Sequence, residues 1–118
     1  MTINEKKIWG IHSWDDSYFL KNNLIGIGWP LMGDISLIEN NRDKFKEKFN
    51  EVYPNNKKGR INLGVGMLYR FLYEVQIGDY IILPSKADRM INIGVIESDY
   101  YYESKQEEYV QQRKVKWI

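Results

Sequence analysis

The stretch IGDYIILPSKADRMINIGVIES, residues 77–98, decides the class of the fold. Ile77-Gly78-Asp79 reads as a turn, and Tyr80 to Leu83 is an apolar run of strand-forming residues. Pro84 to Asp88 is a loop. Ile91, Ile93 and Val95 then alternate with Asn92 and Gly94, the period of a half-buried strand. Strands this close in sequence pair antiparallel. Outward toward the C-terminus, Tyr100 to Tyr102 extends or restarts the ladder. Val115 and Trp117 alternate with Lys114 and Lys116 in a closing strand.

Outward toward the N-terminus the period changes. Met67, Leu68, Phe71, Leu72 and Val75 share one helical face, which predicts a helix over Val65–Val75. Phe45, Phe49 and Val52 fall at i, i+4 and i+7, predicting a helix from Arg42 to Tyr53. Asn41 or Asn40 caps it, and Pro54 with the following NNKKG run ends it. Lys6 to His12 reads as a first strand. Asp15-Asp16 opens a short helix that Asn22-Asn23 stops. Leu24 to Gly28 is a strand whose glycines suggest close backbone approach. The order is β-α-β-α-α-β-β-β, an α+β fold. Five or so short strands with β-branched and aromatic residues suggest a small barrel with helices packed outside. The chain reads as a single domain over 1–118. Because its last strand runs to Ile118, the expectation is a piece of a longer protein.

Composition excludes several chemistries. The 118 residues suit one domain and carry no cysteine and one histidine, His12. Disulfides, thiolate metal sites, cysteine nucleophiles and two-histidine metal motifs are therefore out. No cofactor is expected. The longest uncharged apolar stretch, Leu24–Gly33, is too short to span a bilayer, and no signal-peptide pattern opens the chain. The expected compartment is the cytoplasm, with no membrane partner. Lysine and arginine number 17 against 16 acidic residues. That balance hides a bipolar pattern. Residues 42–60 hold seven basic and three acidic side chains, while 97–109 hold five acidic groups and one lysine. A basic segment of this kind can follow a phosphate backbone or simply form a solvated helix face.

Most candidate catalytic groups have plainer explanations. Asp15 and Asp16 are adjacent, so they do not face each other on a helix, and a cap with a first-turn charge accounts for them. Asp99, Glu103 and Lys105 form an acid followed by Glu-x-Lys, as in metal-dependent nucleases, but they sit in one hairpin among other acids. Gly64-Val65-Gly66 lacks the third glycine of a dinucleotide fingerprint; helix entry and close packing suffice for it. His12 and Ser13 have no third member for a triad.

The tryptophans stand apart. Trp9 and Trp117 lie within alternating strand patterns and belong to the core. Trp14 and Trp29 lie just past strand ends, in HSWDD and GIGWP, where an aromatic can line the mouth of a binding site. Two indoles can sandwich a flat ring, each stacked base contributing about 1–3 kcal/mol.

The pieces KIWGIHSWDD, IGIGWP with GDIS, RFLYEVQIGDYIILPSK, INIGVIESDYYY and RKVKW, in this order, resemble the EVE/YTH-like branch of the PUA superfamily. More narrowly, they are similar to the N-terminal modified-base readers of modification-dependent restriction endonucleases. The resemblance runs from Ile8 to Trp117. It implies a PUA-like pseudo-barrel of five or six strands with two or three flanking helices. It also implies an aromatic cage for a single modified base. By the same resemblance Trp29 matches a cage tryptophan, Ser13 and Trp14 a pocket edge, Ser85 a strand-ending serine and Asn62 a polar pocket position. Trp14, Tyr53 or Tyr73 would supply the second cage aromatic.

The expected function is thus a non-catalytic DNA-binding domain. It would take a methylated or hydroxymethylated base flipped into the cage, between Trp29 and Trp14 as stacking walls, with Ser13, Ser85 and Asn62 on the base edge. Lys86, Arg89, Lys57, Lys58 and Arg60 would hold phosphates. Nuclease or motor activity would reside elsewhere in the same chain or in a partner subunit. Flipping costs a few kcal/mol, which stacking and edge hydrogen bonds must offset. A buried methyl adds roughly 0.8 kcal/mol. The alternatives are an RNA-binding PUA-like module, a small metal-dependent nuclease or hydrolase, and a protein-interaction domain whose aromatics are all core.

Overall fold

A computed structural model describes residues 5–12, 16–86 and 88–118. Its strands are β1 (Ile8–Gly10), β2 (Leu24–Ile27), β3 (Tyr80–Pro84), β4 (Ile91–Ile96), β5 (Tyr101–Tyr102) and β6 (Gln111–Trp117). Its helices are α1 (Asp16–Asn22), α2 (Arg42–Val52) and α3 (Lys58–Tyr73), with short 3-10 turns at Pro30–Met32 and Ile35–Leu37. Among the described residues, six strands and three α-helices place the chain in the expected α+β class. The sheet order is β1-β3-β4-β6-β2, with β5 paired to β6. The chain divides into two compact units.

The first, a sheet unit, takes the described residues of segments 1–25, 75–99 and 113–118. β1 runs parallel to β3, while β3–β4 and β4–β6 are antiparallel. The antiparallel pairing read from residues 77–98 is therefore present. Register puts Trp9, Ile81, Leu83, Gly94, Ile96, Val115 and Trp117 on one face. Ile81, Leu83, Ile96 and Val115 there are buried, as are Phe19, Leu24 and Ile25.

This reverses the reading of β4. Ile91 and Ile93 were expected to face inward, but they are 67% and 44% exposed, whereas Gly94 and Ile96 are buried. Gly94 is buried because Trp117 needs the room. A Cβ there would overlap Val115 Cγ1 and come within 2.8 Å of the Trp117 ring. Trp9 and Trp117 are half-buried rather than core, and each indole N–H finds a partner within the protein. Trp9 donates to Asp79 (2.9 Å) and Trp117 to the Phe19 carbonyl (3.1 Å).

Asp79 explains the Gly78-Asp79 turn. Gly78 has φ +95°, a conformation that suits glycine. The Asp79 carboxylate accepts from Lys7 N (3.2 Å), Gln76 N (2.9 Å) and Trp9 Nε1, fastening β1 to the turn before β3. Burial pushes its carboxyl up, but the Trp9, Gln76 and Lys7 donors outweigh that and hold it below the usual carboxylate value.

The second, a helical unit, takes segments 26–74 and 100–112. Asn41 Oδ1 caps α2 by accepting from Asp43 N (2.7 Å) and Lys44 N (3.4 Å). Phe45 and Phe49 are buried as their spacing predicts, but Val52 is only half-buried. α3 begins at Lys58, seven residues before the expected Val65. The pattern hid its start because Gly64 and Gly66 lower helix propensity by about 1 kcal/mol each. Packing restores it. Gly64 lies where a Cβ would come within 2.8 Å of the Phe49 ring. These glycines are mid-helix, so they are neither a helix entry nor a phosphate loop. Leu68 and Phe71 are buried, while Met67 on the same predicted face is exposed.

Candidate functional site

Trp29 anchors the site. It follows β2, whose Gly26 is required because a Cβ there would come within 2.8 Å of Tyr109 Cβ. Trp29 itself adopts φ 60°, ψ 57°, the left-handed region. For a bulky residue this costs roughly 1–2 kcal/mol, and the following Pro30 favours extended backbone instead. Such strain persists only where surroundings enforce it, and it concentrates at functional sites.

Several contacts enforce it. Met32 N donates to Trp29 O (3.1 Å) and Gly33 N to Pro30 O (3.1 Å). The indole lies tilted against Phe49, with ring centres 6.3 Å apart. Its Cζ2 also stands 3.3 Å from the Cβ position of Gly64. Phe49 in turn meets Tyr53 at 5.1 Å, and the Tyr53 hydroxyl accepts from Leu31 N (3.1 Å). Further along, buried Gln111 donates to Gly33 O (2.7 Å) and accepts from the Tyr100 hydroxyl. That hydroxyl also accepts from Ile35 N (3.3 Å). Burial raises the Tyr100 pKa above the usual phenol value, so the group stays protonated as a donor.

Of the aromatics expected to partner Trp29, Tyr53 shares its cluster. Tyr73 belongs to another, with Phe45 at 6.3 Å and Tyr69 at 4.8 Å. Arg42 covers Tyr69 at 4.6 Å and pairs with Glu74 at 3.7 Å, and the Tyr69 hydroxyl donates to Asn40 (2.6 Å). Trp14 and Ser13 lie outside the described residues, as does Asp15.

The basic residues divide between the units. Lys57, Lys58 and Arg60 are exposed at the start of α3. Arg60 precedes Gly64 by four positions and so shares that face of α3, while Lys57 is the N-cap residue with extended backbone. Asn62, two positions from Gly64, is exposed on a different side of the helix and is not brought to Trp29. The first turn of α3 carries no acid and its N-cap side chain makes no capping bond. Cations at a helix N-terminus oppose the macrodipole, whereas an anion would satisfy both.

Ser85, Lys86 and Arg89 lie in the sheet unit. Ser85 is buried and its hydroxyl is engaged with Asp16. The Lys86 N–H (2.9 Å), the Ser85 hydroxyl and the Ser17 N–H (3.0 Å) hold the Asp16 carboxyl below its usual value, against desolvation. Ser85 thus ties the loop after β3 to α1, and a base edge has no claim on its donor. Lys86 and Arg89 are exposed, and Arg89 takes φ 57°. His12 is exposed at the end of the first segment.

The nuclease-like trio is divided between the two units. Glu103 Oε1 accepts from Lys105 N (3.1 Å) within a tight turn, and Asp99 falls in the other unit. Among the described residues no group of three or more metal-binding side chains converges. No helix of these residues is long and apolar enough to cross a membrane.

Sequence reasoning missed Tyr100 and Gln111, which brace the loop after Trp29. Nothing in the local QQR pattern marks a glutamine as fully buried. The model of DUF8426, a domain of unknown function, matches residues 12–118, so the chain belongs to that family. No curated protein matches it.

Proposed function

We propose that this DUF8426 domain is a non-catalytic reader of modified bases in DNA, serving to direct a restriction nuclease to modified sites. A methylated or hydroxymethylated base, flipped from the duplex, stacks on Trp29, and Tyr53 supplies the neighbouring aromatic. Lys57, Lys58 and Arg60 take the flanking phosphates. The observation that carries the reading is the left-handed backbone of Trp29, enforced by Phe49, Gly64 and the Tyr53 hydroxyl beside a basic helix start. The contacts that hold this conformation leave the indole half-buried, and strain of this kind concentrates at functional sites. The resemblance to EVE/YTH-like readers, in which a tryptophan after a Gly-rich strand forms the cage, supports the same assignment. Stacking of about 1–3 kcal/mol with phosphate contacts offsets the few kcal/mol of flipping. Strand cleavage or translocation, in this reading, belongs to another domain or a partner subunit.

The test is binding by fluorescence anisotropy at fixed salt. Matched oligonucleotides carry no modification, N6-methyladenine, 5-methylcytosine or 5-hydroxymethylcytosine. One modified duplex should bind about tenfold or more tightly than the plain one, a difference of roughly 1.4 kcal/mol, and Trp29→Ala should remove that preference. Equal weak affinity for all, unchanged by Trp29→Ala, refutes the reading. A single-stranded RNA arm separates DNA from RNA recognition.

A further inference from the structure

An antiparallel sheet with one face on the core normally carries polar side chains on the other. The sheet unit does not. Register aligns Ile8 with Tyr80, Tyr80 with Val95, and Ile82 with Ile93, all opposite the core. Pro84 pairs with Ile91 on the same face. Ile118 joins them, its N–H donating to Ile93 O (2.8 Å). Ile8 is 66% exposed, Tyr80 40% and Ile118 84%. Among the described residues, the outer positions of β1, β3 and β4 carry no ionisable group apart from the Tyr80 phenol. Charges stand at the β6 margin, where Lys116 pairs with Val95 and Lys114 O accepts from Glu97 N (2.9 Å).

This pattern suits burial on both faces, and its chemistry selects the occupant. A nucleic acid needs cations across the contact, which β3 and β4 lack. The exposed apolar surface is on the order of 600 Å², as large as the largest patch on a typical monomer. Doubled across a two-fold axis, roughly 1,200 Å² reaches the lower bound of a stable interface. A net charge of +1 brings no long-range repulsion between copies. The margin offers both signs, Glu97 beside Lys114 and Lys116, so an identical partner can meet it with opposite charge. Flat sheet faces pack as aligned layers about 10 Å apart.

We propose that two copies of this domain associate through the outer faces of β3 and β4, in an isologous two-fold interface. Sedimentation velocity on the chain, from low to high micromolar concentration, tests this. The expected species is a dimer. Ile91→Lys with Ile93→Lys should halve the mass with an unchanged circular dichroism spectrum, since both sites are exposed. Leu37→Lys, at a still more exposed position of the helical unit, should leave the dimer intact. A wild-type chain that stays monomeric throughout overturns the proposal. A dimer that survives the double lysine variant, or that Leu37→Lys also abolishes, overturns it equally.

Discussion

Two glycines of α3, two residues apart, should respond in opposite directions to the same substitution. At Gly64 a Cβ would sit 2.8 Å from Phe49 Cε2, 3.0 Å from Cζ and 3.3 Å from Trp29 Cζ2. These are ring atoms wedged in a packed cluster. At Gly66 the nearest atom is Arg70 Nη1 at 3.2 Å, the tip of a flexible side chain that can move aside. Both positions are helical, so Gly→Ala gains about 0.8–1 kcal/mol of helix propensity at each. Overpacking a tight contact costs about 1–3 kcal/mol. Gly66→Ala should therefore stabilise by about 0.5–1 kcal/mol. Gly64→Ala should be neutral to about 2 kcal/mol destabilising. The difference between the two, in which propensity cancels, isolates the clash. Urea denaturation followed by helical circular dichroism measures both. Near-UV circular dichroism should change for Gly64→Ala alone, since that substitution displaces Trp29. Equal stabilisation by the two variants would refute the close packing of Gly64 against Phe49 and Trp29, and with it the basis for the strained tryptophan.

Other consequences are as direct. Trp29→Gly should be about 1 kcal/mol more stable than Trp29→Ala, because glycine accepts the left-handed backbone without penalty; comparison by urea denaturation checks this. Asp79→Asn weakens acceptance from Lys7 N, Gln76 N and Trp9 Nε1, and should destabilise by about 2–3 kcal/mol. Because the folded carboxyl sits below its ordinary value of 3.8, the unfolded chain binds the proton more readily. The Asp79 contribution is then complete at neutral pH and lost as pH falls through the folded value. Wild-type stability should drop below about pH 4, more steeply than that of Asp79→Asn. Replacing Lys57, Lys58 and Arg60 with glutamine should flatten the salt dependence of duplex binding, its log–log slope falling by about 0.9 for each phosphate no longer neutralised, with little effect on preference for the modified base. Binding titrations at several salt concentrations measure that slope. Gly94→Ala should destabilise more than Gly64→Ala, since Val115 and Trp117 both crowd its Cβ position; thermal unfolding reads this.

Local patterns were legible wherever one physical signal acted alone. The cap at Asn41, the Phe45–Phe49 stripe, the Asn22-Asn23 stop and the turn at Gly78-Asp79 all follow from short-range chemistry. Asn23 even adopts φ 54°, as a helix-stopping asparagine should. Signals failed where distant residues compete. Two glycines concealed the first half of α3, although Gly64 is there for the close approach of Phe49 rather than for its own propensity. The alternation of β4 was sound, but its inner face was misassigned, because apolar side chains line the outer face. The candidate site was legible in Trp29 and in the basic start of α3. The sequence favoured Trp14 as the second wall, with Tyr53 and Tyr73 as alternatives; Trp14 lies outside the described residues, and of the other two it is Tyr53 that packs on Phe49 and accepts from Leu31 N.

By itself, then, the order of residues determined the element types, the antiparallel pairing after residue 77, and the exclusion of cysteine and histidine-pair chemistry. These depend on composition and on neighbours a few positions apart. Tertiary structure alone decided which side of β4 is inside, that Ser85 is spent on Asp16, and that Asn62 turns away from Trp29. It also decided that Trp29 holds a left-handed backbone. Each of those depends on atoms from segments tens of residues apart meeting within a few ångströms, and no local pattern encodes such a meeting.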